Sequence, residues 1–166
     1  FASPPIRNAG TLGGNIANGS PIGDSMPALM VAGTSLILRS TAGEREIELD
    51  DFYIDYQVKD LQPGEFLQRI RIPLPAENTI LRSHKLSKRF DQDISAVCTA
   101  YRLELDGDEA SSFRMACGGL AATIKRARQC EAAVVGQPWN EATIERAVTA
   151  LADDFAPISD MRASAV

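Results

Sequence analysis

The chain has 166 residues, of which 45% are hydrophobic and 23% charged, and its formal net charge is −5 with a pI near 4.9. This composition is typical of a globular protein with one domain or two small ones. The acidic balance argues against nucleic acid as the main partner, because phosphate backbones need a basic face. No apolar run approaches the roughly 18 residues of a membrane span, so no membrane partner is expected.

Two further features bear on location and on metals. No charged segment followed by an apolar one opens the sequence, so we expect no secretory signal and a cytoplasmic protein. The three cysteines, Cys98, Cys117 and Cys130, lie in apolar runs without CxxC spacing. They are expected to be buried thiols in a reducing compartment rather than ligands of zinc or an iron–sulfur cluster, and no metal site is predicted.

The first half of the chain predicts a glycine-rich loop, one short helix and several strands. Residues 7–24 hold five of the twelve glycines, and the helix is predicted at residues 24–33, with Asp24 or Ser25 as its cap and Gly33 at its end. The remaining predicted elements are strands at 34–40 and 45–52 around a turn at 41–44, a short helix or loop at 50–56, and a strand at 65–72 stopped by prolines.

The second half predicts strands followed by helices. Residues 73–79, "PLPAENT", are the best linker candidate. The predicted strands are 83–89, 94–105 and 112–121, and the predicted helices are 123–136 and 140–155. The first of these helices is expected to bury Ile124, Ala127 and Val134, and the second, capped by Asn140, to bury Ile144, Val148, Leu151 and Phe155. Strands followed by helices favour an α+β fold.

The glycine-rich stretch "RNAGTLGGNIANGSPIGD" is the main candidate for function. Glycines before a helix expose backbone N–H groups, which suits a phosphate or diphosphate. Tight turns without a ligand remain an alternative, since the stretch matches neither the P-loop nor the GxGxxG pattern. Asp24 fits either a contact to a ribose hydroxyl or an adenine amino group, or a simple helix cap.

Two stretches, "IRNAGTLGGNIANGSPIGDSMPAL" and "HKLSKRFDQDISAV", resemble the FAD-binding portion of the xanthine dehydrogenase family of molybdenum hydroxylases. That portion is related to the flavoprotein subunit of carbon monoxide dehydrogenase. The resemblance covers essentially the whole chain and includes "GEFLQRIRIPLP" between the two stretches. It implies that residues 1–76 are the second half of a FAD-binding (PCMH-type) domain. Residues 80–166 would then be a C-terminal α+β sandwich domain, an antiparallel sheet backed by helices.

The resemblance also implies a set of flavin contacts. Phe1 and Leu67 would lie on opposite sides of the flavin ring, and Lys85 would be a cation near it. The other implied contacts, to the phosphates, the ribitol or the ring, are Thr11, Gly14, Asn15, Asn18, Ser20 and Asp24. From the residues alone, Leu67 would be called a core residue and Lys85 a solvated strand lysine.

Residues 88–93, "KRFDQD", resemble a charged loop that in this family influences whether NAD or oxygen takes the electrons. Arg89, Asp91 and Asp93 are therefore candidates for influencing the acceptor, although a solvated turn of mixed charges is the alternative. His84, the one histidine, is expected to be structural. No general base or nucleophile is predicted, and hydride transfer needs none.

The implied function is that of an oxidoreductase, as part of a larger enzyme. The resemblance implies that FAD takes electrons from iron–sulfur clusters, after purine hydroxylation at molybdopterin, and passes hydride to NAD. The upstream half of the FAD domain, the iron–sulfur domains and a molybdenum-binding large subunit would be the partners. Because the family's other phosphate loop has no counterpart here, we expect this piece alone to be inactive and to retain little or no FAD. Three alternatives stay open: another molybdenum hydroxylase acting on aldehydes, N-heterocycles or carbon monoxide, a non-redox nucleotide-binding module, and a structural subunit.

Overall fold

The computed structural model describes residues 3–89 and 94–165. Phe1, Asp91 and Asp93 therefore lie outside the described residues. The elements are α1 (Pro4–Ala9), α2 (Leu12–Asn18), α3 (Ser25–Ala32), β1 (Ser35–Ser40), β2 (Gly43–Glu48), α4 (Leu49–Phe52), β3 (Tyr53–Asp55), β4 (Val58–Lys59), β5 (Phe66–Arg71), β6 (Ile80–Leu86), β7 (Val97–Asp106), β8 (Glu109–Gly118), β9 (Lys125–Arg126), α5 (Arg128–Val134) and α6 (Glu141–Asp154).

The first half forms a small antiparallel sheet in the order β2-β1-β5. In its central strand, Leu36 pairs with Ile47 on one side and with Ile70 on the other, and the apolar faces of these strands pack into the first core. The predicted helix at 24–33, the hairpin around 41–44 and the strand after residue 65 are confirmed. Gly33 ends α3 with φ 78°, the left-handed conformation that glycine adopts at least cost.

The glycine-rich stretch is not the loop that the sequence predicts. Most of it is helical, in α1 and α2, although glycine disfavours helix interiors by about 1 kcal/mol. Thr11 caps α2 by accepting a hydrogen bond from the Gly14 amide at 3.0 Å. Buried Ile16 anchors the helix, and its carbonyl accepts a hydrogen bond from the Tyr53 hydroxyl at 2.9 Å. Tertiary contacts thus stabilise a helix that local propensity opposes.

The second half is an antiparallel sheet in the order β6-β7-β8-β9, followed by two helices. The α+β prediction is confirmed, but the predicted helix at 123–136 is wrong in its first part. Residues 125–126 form β9, because Lys125 pairs with Cys117 and the Ala127 amide donates to the Met115 carbonyl at 2.8 Å. Helix α5 begins only at Arg128.

Helix α3 is apolar around its circumference because it packs on the second sheet and its buried residues also belong to the first core, together with Leu36 and Leu38 of β1. It packs against one face of β7 and β8, where the residues are small: Cys98, Ala100, Ala116 and Gly118. Small side chains allow a helix to approach a sheet closely. The opposite face of the sheet carries Leu103, Phe113, Met115 and Cys117, which form a second core with α5 and α6.

Helix α6 forms as predicted, and the Asn140 side chain caps it by accepting from the Thr143 amide at 3.0 Å. The predicted buried face is wrong in part, since Ile144 is 43% and Val148 61% exposed. These two residues instead line an open groove with Trp139 and with Ile80 and Arg82 of β6. The residues that α6 buries are Thr143, Ala147 and Asp154, and Phe155 follows them.

All three cysteines are free and buried, as predicted. Burial raises the pKa of Cys117 to about 12 and is the main cause that raises the pKa of Cys98 and of Cys130 to about 11. His84 stacks edge-to-face on Tyr101, with ring centroids 5.9 Å apart. None of the helices in residues 3–89 and 94–165 has the length and apolar character needed to cross a bilayer.

Candidate functional site

Asp24 stands at the start of α3 but does not cap it, since its side chain makes no hydrogen bond to the helix amides. Its Oδ2 lies 2.7 Å from Nζ of Lys85 on β6. Its Oδ1 accepts a hydrogen bond from the hydroxyl of Ser95, just before β7. The carboxylate, only 10% exposed, therefore joins the glycine-rich segment to the second sheet. The helix-cap alternative for Asp24 is excluded.

A cavity of about 280 Å³ lies beside α2. Its polar wall comes from Thr11 and Asn15 of the predicted set and from Ser25. The Ser25 hydroxyl donates to Oδ1 of Asn15 at 2.5 Å, which fixes the amide of Asn15 against the start of α3. The other lining residues are Ile6, Arg7, Gly10 and Leu12, so the cavity combines exposed apolar surface with one guanidinium.

Gly14 lies on the first turn of α2, next to the cap. A Cβ built at Gly14 would stand 2.8 Å from Oγ1 of Thr11, closer than side chains pack. At neighbouring Gly13 a Cβ would meet only Cδ2 of Leu67, at an ordinary 3.9 Å. The absence of a side chain at Gly14 therefore leaves room for the Thr11 cap, which lines the cavity. At Gly13 there is room for a larger residue such as alanine.

The backbone amides of this segment are less available than the sequence suggests. Those of Gly10, Gly14, Asn15, Gly19 and Gly23 already donate to groups within the segment. Five amides are therefore used by the fold itself, and an anion site would depend on the remaining amides at the start of α2 and on side-chain donors.

Asn18 and Ser20 lie at the other end of α2, in a second cavity of about 370 Å³. It is lined by polar groups and by Tyr56 and Lys59 of the β3–β4 hairpin. The Lys59 ammonium donates to the Asn18 carbonyl at 3.2 Å, and the Tyr56 ring is 56% exposed. The structure thus places Thr11 and Asn15 in one cavity and Asn18 and Ser20 in another, at opposite ends of α2, while Gly14, Asp24, Leu67 and Lys85 line neither cavity.

Leu67 lies on β5, partly buried, and packs into the first core with its Cδ2 facing Gly13 of α2. Its core role is therefore visible in the structure, and its proposed contact to a flavin stays a prediction. The flavin contacts implied for the other residues also stay predictions: Thr11, Gly14, Asn15, Asn18, Ser20, Asp24 and Lys85.

Sequence reasoning missed three residues at this site: Arg7, Ser25 and Ser95. The sequence indicates Ser25 only as a helix cap and Arg7 only as the first residue of the glycine-rich stretch. Ser95 is separated from Asp24 by 71 positions, so no local pattern indicates the contact.

A second ionic cluster ties the two halves at a distance from the cavities. Arg126 of β9 contacts Asp50 of α4 at 2.9 Å and Glu131 of α5 at 2.7 Å. Glu131 also accepts from the Met115 amide at 2.9 Å, so this largely buried carboxylate is well satisfied. Asp24 and Arg126 thus anchor the first half on the second sheet at two separate places.

Comparison with known proteins gives two family matches that together span nearly the whole chain. Residues 1–75 match the FAD binding domain in molybdopterin dehydrogenase, and residues 82–166 match the CO dehydrogenase flavoprotein C-terminal domain. The chain is 36% identical to a xanthine dehydrogenase of Emericella nidulans, over 93% of this chain and 12% of the relative. It is 32% identical to the carbon monoxide dehydrogenase medium chain of Afipia carboxidovorans, over 99% of this chain and 57% of the relative.

Solved structures agree with the sequence matches. A carbon monoxide dehydrogenase chain from Hydrogenophaga pseudoflava superposes with a TM-score of 0.94 at 30% identity, covering 99% of this chain and 57% of that one. Quinoline 2-oxidoreductase from Pseudomonas putida 86 gives 0.84 at 27% identity, covering 97% of this chain and 55% of that one. The chain spans about an eighth of the length of the xanthine dehydrogenase and little more than half of the carbon monoxide dehydrogenase medium chain. The chain belongs to the FAD-binding flavoprotein family of the molybdenum hydroxylases, with the C-terminal domain of the carbon monoxide dehydrogenase flavoproteins.

Proposed function

We propose that this chain forms part of the flavin site of a xanthine dehydrogenase-type enzyme, which passes electrons from purine oxidation to NAD. Within it, we place the division between the flavin-binding half and the C-terminal domain at residues 77–79. The observation that carries the proposal is the contact of Asp24 with Lys85. It brings together an acid and a cation that the sequence resemblance independently assigned to the flavin.

The residues beside α2 fit a flavin nucleotide. Thr11, Asn15 and Ser25 present hydroxyl and amide groups suited to ribityl hydroxyls, and Arg7 offers a cation suited to a diphosphate. Exposed Ile6 and Leu12 offer apolar surface to a flat ring. The cavity holds about 280 Å³, less than a whole dinucleotide needs, which agrees with a site completed by another part of the enzyme.

When bound, FAD would supply the redox chemistry, because a flavin can accept single electrons and release a hydride. The chain's own residues bind and orient it and set the local electrostatic potential. Lys85 is 29% exposed and paired with Asp24, so its positive charge is partly balanced. A cation so placed favours added negative charge nearby, and its carboxylate partner limits that effect.

The second cavity supports NAD as the electron acceptor. Lys59 can pair with a phosphate and the exposed Tyr56 ring can stack on a base. With Tyr56→Ala we expect the KM for NAD to rise several-fold, while electron transfer to oxygen is unchanged. An unchanged KM for NAD would remove this support.

The assay that tests the proposal uses the intact enzyme with xanthine, and follows bleaching of the flavin absorbance and formation of NADH. Xanthine-dependent bleaching and NAD reduction are expected. A carbon monoxide-oxidising enzyme is the second candidate, because the fold match at TM-score 0.94 is to such a protein. Bleaching by carbon monoxide but not by xanthine would select it. Equal affinity for FAD, ATP and inorganic phosphate would favour a non-redox nucleotide-binding module.

A further inference from the structure

Ser95 is a buried hydroxyl in direct contact with the proposed flavin segment. Its side chain is almost completely shielded, and its Oγ donates to Oδ1 of Asp24. The other carboxylate oxygen takes the ammonium of Lys85. Asp24 is therefore held by one neutral donor and one charged donor, each on a different oxygen.

The position of Ser95 in the chain links this contact to the connection between β6 and β7. The adjacent Ala96 amide donates to the Leu86 carbonyl at 2.8 Å, which closes the base of that connection. Just beyond it, the Cys98 thiol lies 3.7 Å from the Asp24 carbonyl. The start of β7 thus meets both the carboxylate and the backbone of Asp24.

We propose that Ser95 is a positioning residue that sets the charge balance at the flavin by holding the Asp24 carboxylate. This inference rests on the proposed placement of the flavin near Asp24 and Lys85. A hydroxyl that donates to a carboxylate spreads its negative charge and fixes its rotamer. Without that donor, Asp24 presents a stronger negative potential to the site and opposes reduction of the flavin.

The test is Ser95→Ala in the intact holoenzyme, with the flavin midpoint potential measured by spectroscopic redox titration. At a fixed potential we expect the ratio of reduced to oxidised FAD to fall three- to tenfold, and tenfold corresponds to about 30 mV for a two-electron couple. Ser95→Cys keeps the shape of the side chain, with a somewhat larger atom, but donates weakly, so it should shift the potential in the same direction. This second variant also provides the measurement should Ser95→Ala not fold.

Ser87→Ala is the matched control. Ser87 stands at the other end of the same connection, is exposed, and donates to the Arg89 carbonyl at 2.8 Å rather than to Asp24. Its removal should leave the potential unchanged. A shift equal to that of Ser95→Ala would mean that any change in this connection alters the flavin, and would overturn the specific role of Ser95.

A double-mutant cycle with Asp24→Asn separates the possible failures. If Ser95 acts through Asp24, Ser95→Ala should have no further effect on the potential in the Asp24→Asn background. Suppose that Asp24→Asn changes FAD affinity or the flavin potential but Ser95→Ala leaves the potential at the wild-type value. That result overturns this inference alone, and the Ser95–Asp24 hydrogen bond is then merely structural. If Asp24→Asn itself changes neither FAD affinity nor potential, the proposed flavin placement fails, and this inference fails with it.

Discussion

Lys85 Nζ lies 2.7 Å from Asp24 Oδ2, across 61 positions of sequence. The contact joins the segment that carries the α2 cavity to the edge strand β6. Because the Asp24 carboxylate is largely buried, removal of Lys85 would leave it without its charged partner, which is unfavourable. The glycine-rich segment before α3 and the second sheet are therefore expected to work as one unit.

Lys85→Met in the intact enzyme should weaken FAD binding roughly tenfold or more. The substitution removes a cation near the proposed ring and leaves Asp24 without its charged donor, and hydrogen bonds to charged groups contribute about 1.5–3 kcal/mol. Fluorescence titration of the flavin-free enzyme with FAD measures the change.

Lys125→Met is the control for that experiment. The Lys125 ammonium lies over the Phe155 ring, 5.2 Å from its centroid, on β9. It should leave FAD affinity at the wild-type value. Equal losses from both substitutions would mean that overall positive charge, rather than Lys85, is responsible.

Gly13→Ala should stabilise the fold, whereas Gly14→Ala should leave its stability nearly unchanged. Alanine at position 13 fits and removes a helix-breaking glycine, so the free energy of unfolding should rise by about 0.5–1 kcal/mol. Alanine at position 14 displaces the Thr11 cap, which costs about 1 kcal/mol and cancels that gain.

FAD affinity should fall only in Gly14→Ala, because only that change disturbs the Thr11 side of the cavity. Chemical denaturation and FAD titration of the two variants give both quantities. Identical behaviour of the two alanine variants would contradict the assigned role of the cap.

Asp154→Ala should destabilise the second core by about 1–3 kcal/mol. The buried carboxylate accepts from the amides of Gln129 and Cys130, at 3.0 and 2.9 Å, and so satisfies the first turn of α5. Exposed Asp153 is the natural control, and its alanine variant should unfold at the wild-type denaturant midpoint. No loss in Asp154→Ala would show that water replaces the carboxylate at no cost.

Stability should fall in acid through the carboxylates around Arg45. The Arg45 guanidinium, followed by the Gln62 amide, lowers the pKa of Glu65 from 4.5 to about 2, and Arg45 also lowers the pKa of Asp60. A lowered folded-state pKa gives stability that is present above the unfolded value, near 4.5, and is lost as pH falls towards 2.

Denaturation midpoints measured between pH 6 and pH 2 test this expectation. The wild type should lose stability below about pH 4.5, in line with the ordinary Glu pKa. Glu65→Gln should lose less over the same range, while Glu77→Gln, in the exposed connection between β5 and β6, should follow the wild type. If the denaturation midpoints of all three proteins fell in parallel with pH, the assigned role of Glu65 would be contradicted.

The sequence predicts elements whose signals are local. The Asn140 cap, the Gly33 end of α3 and the turn at 41–44 each follow from a few neighbouring residues, and the structure confirms them. Helix α2 could not be predicted, because two glycines in its first turn oppose it and its support comes from Tyr53. Strand β9 was missed because only its pairing with β8 makes it a strand.

The site shows the same division. The sequence and its family resemblance identify Asp24 and Lys85 separately, but their contact depends on how α3 packs against the second sheet. Part of the amide cradle expected from glycine density is used inside the fold, by the amides of Gly10, Gly14, Asn15, Gly19 and Gly23, and an amide contact to a phosphate stays a prediction. Ser95 and Ser25 enter only through contacts that no spacing rule indicates.

The placement of the flavin is tested most directly by a structure of the intact enzyme with FAD bound. The account predicts density for the ribityl and diphosphate groups within hydrogen-bond distance of Thr11 and Asn15, with the ring near the Asp24–Lys85 pair. FAD bound elsewhere, with the α2 cavity filled by protein side chains, would contradict it.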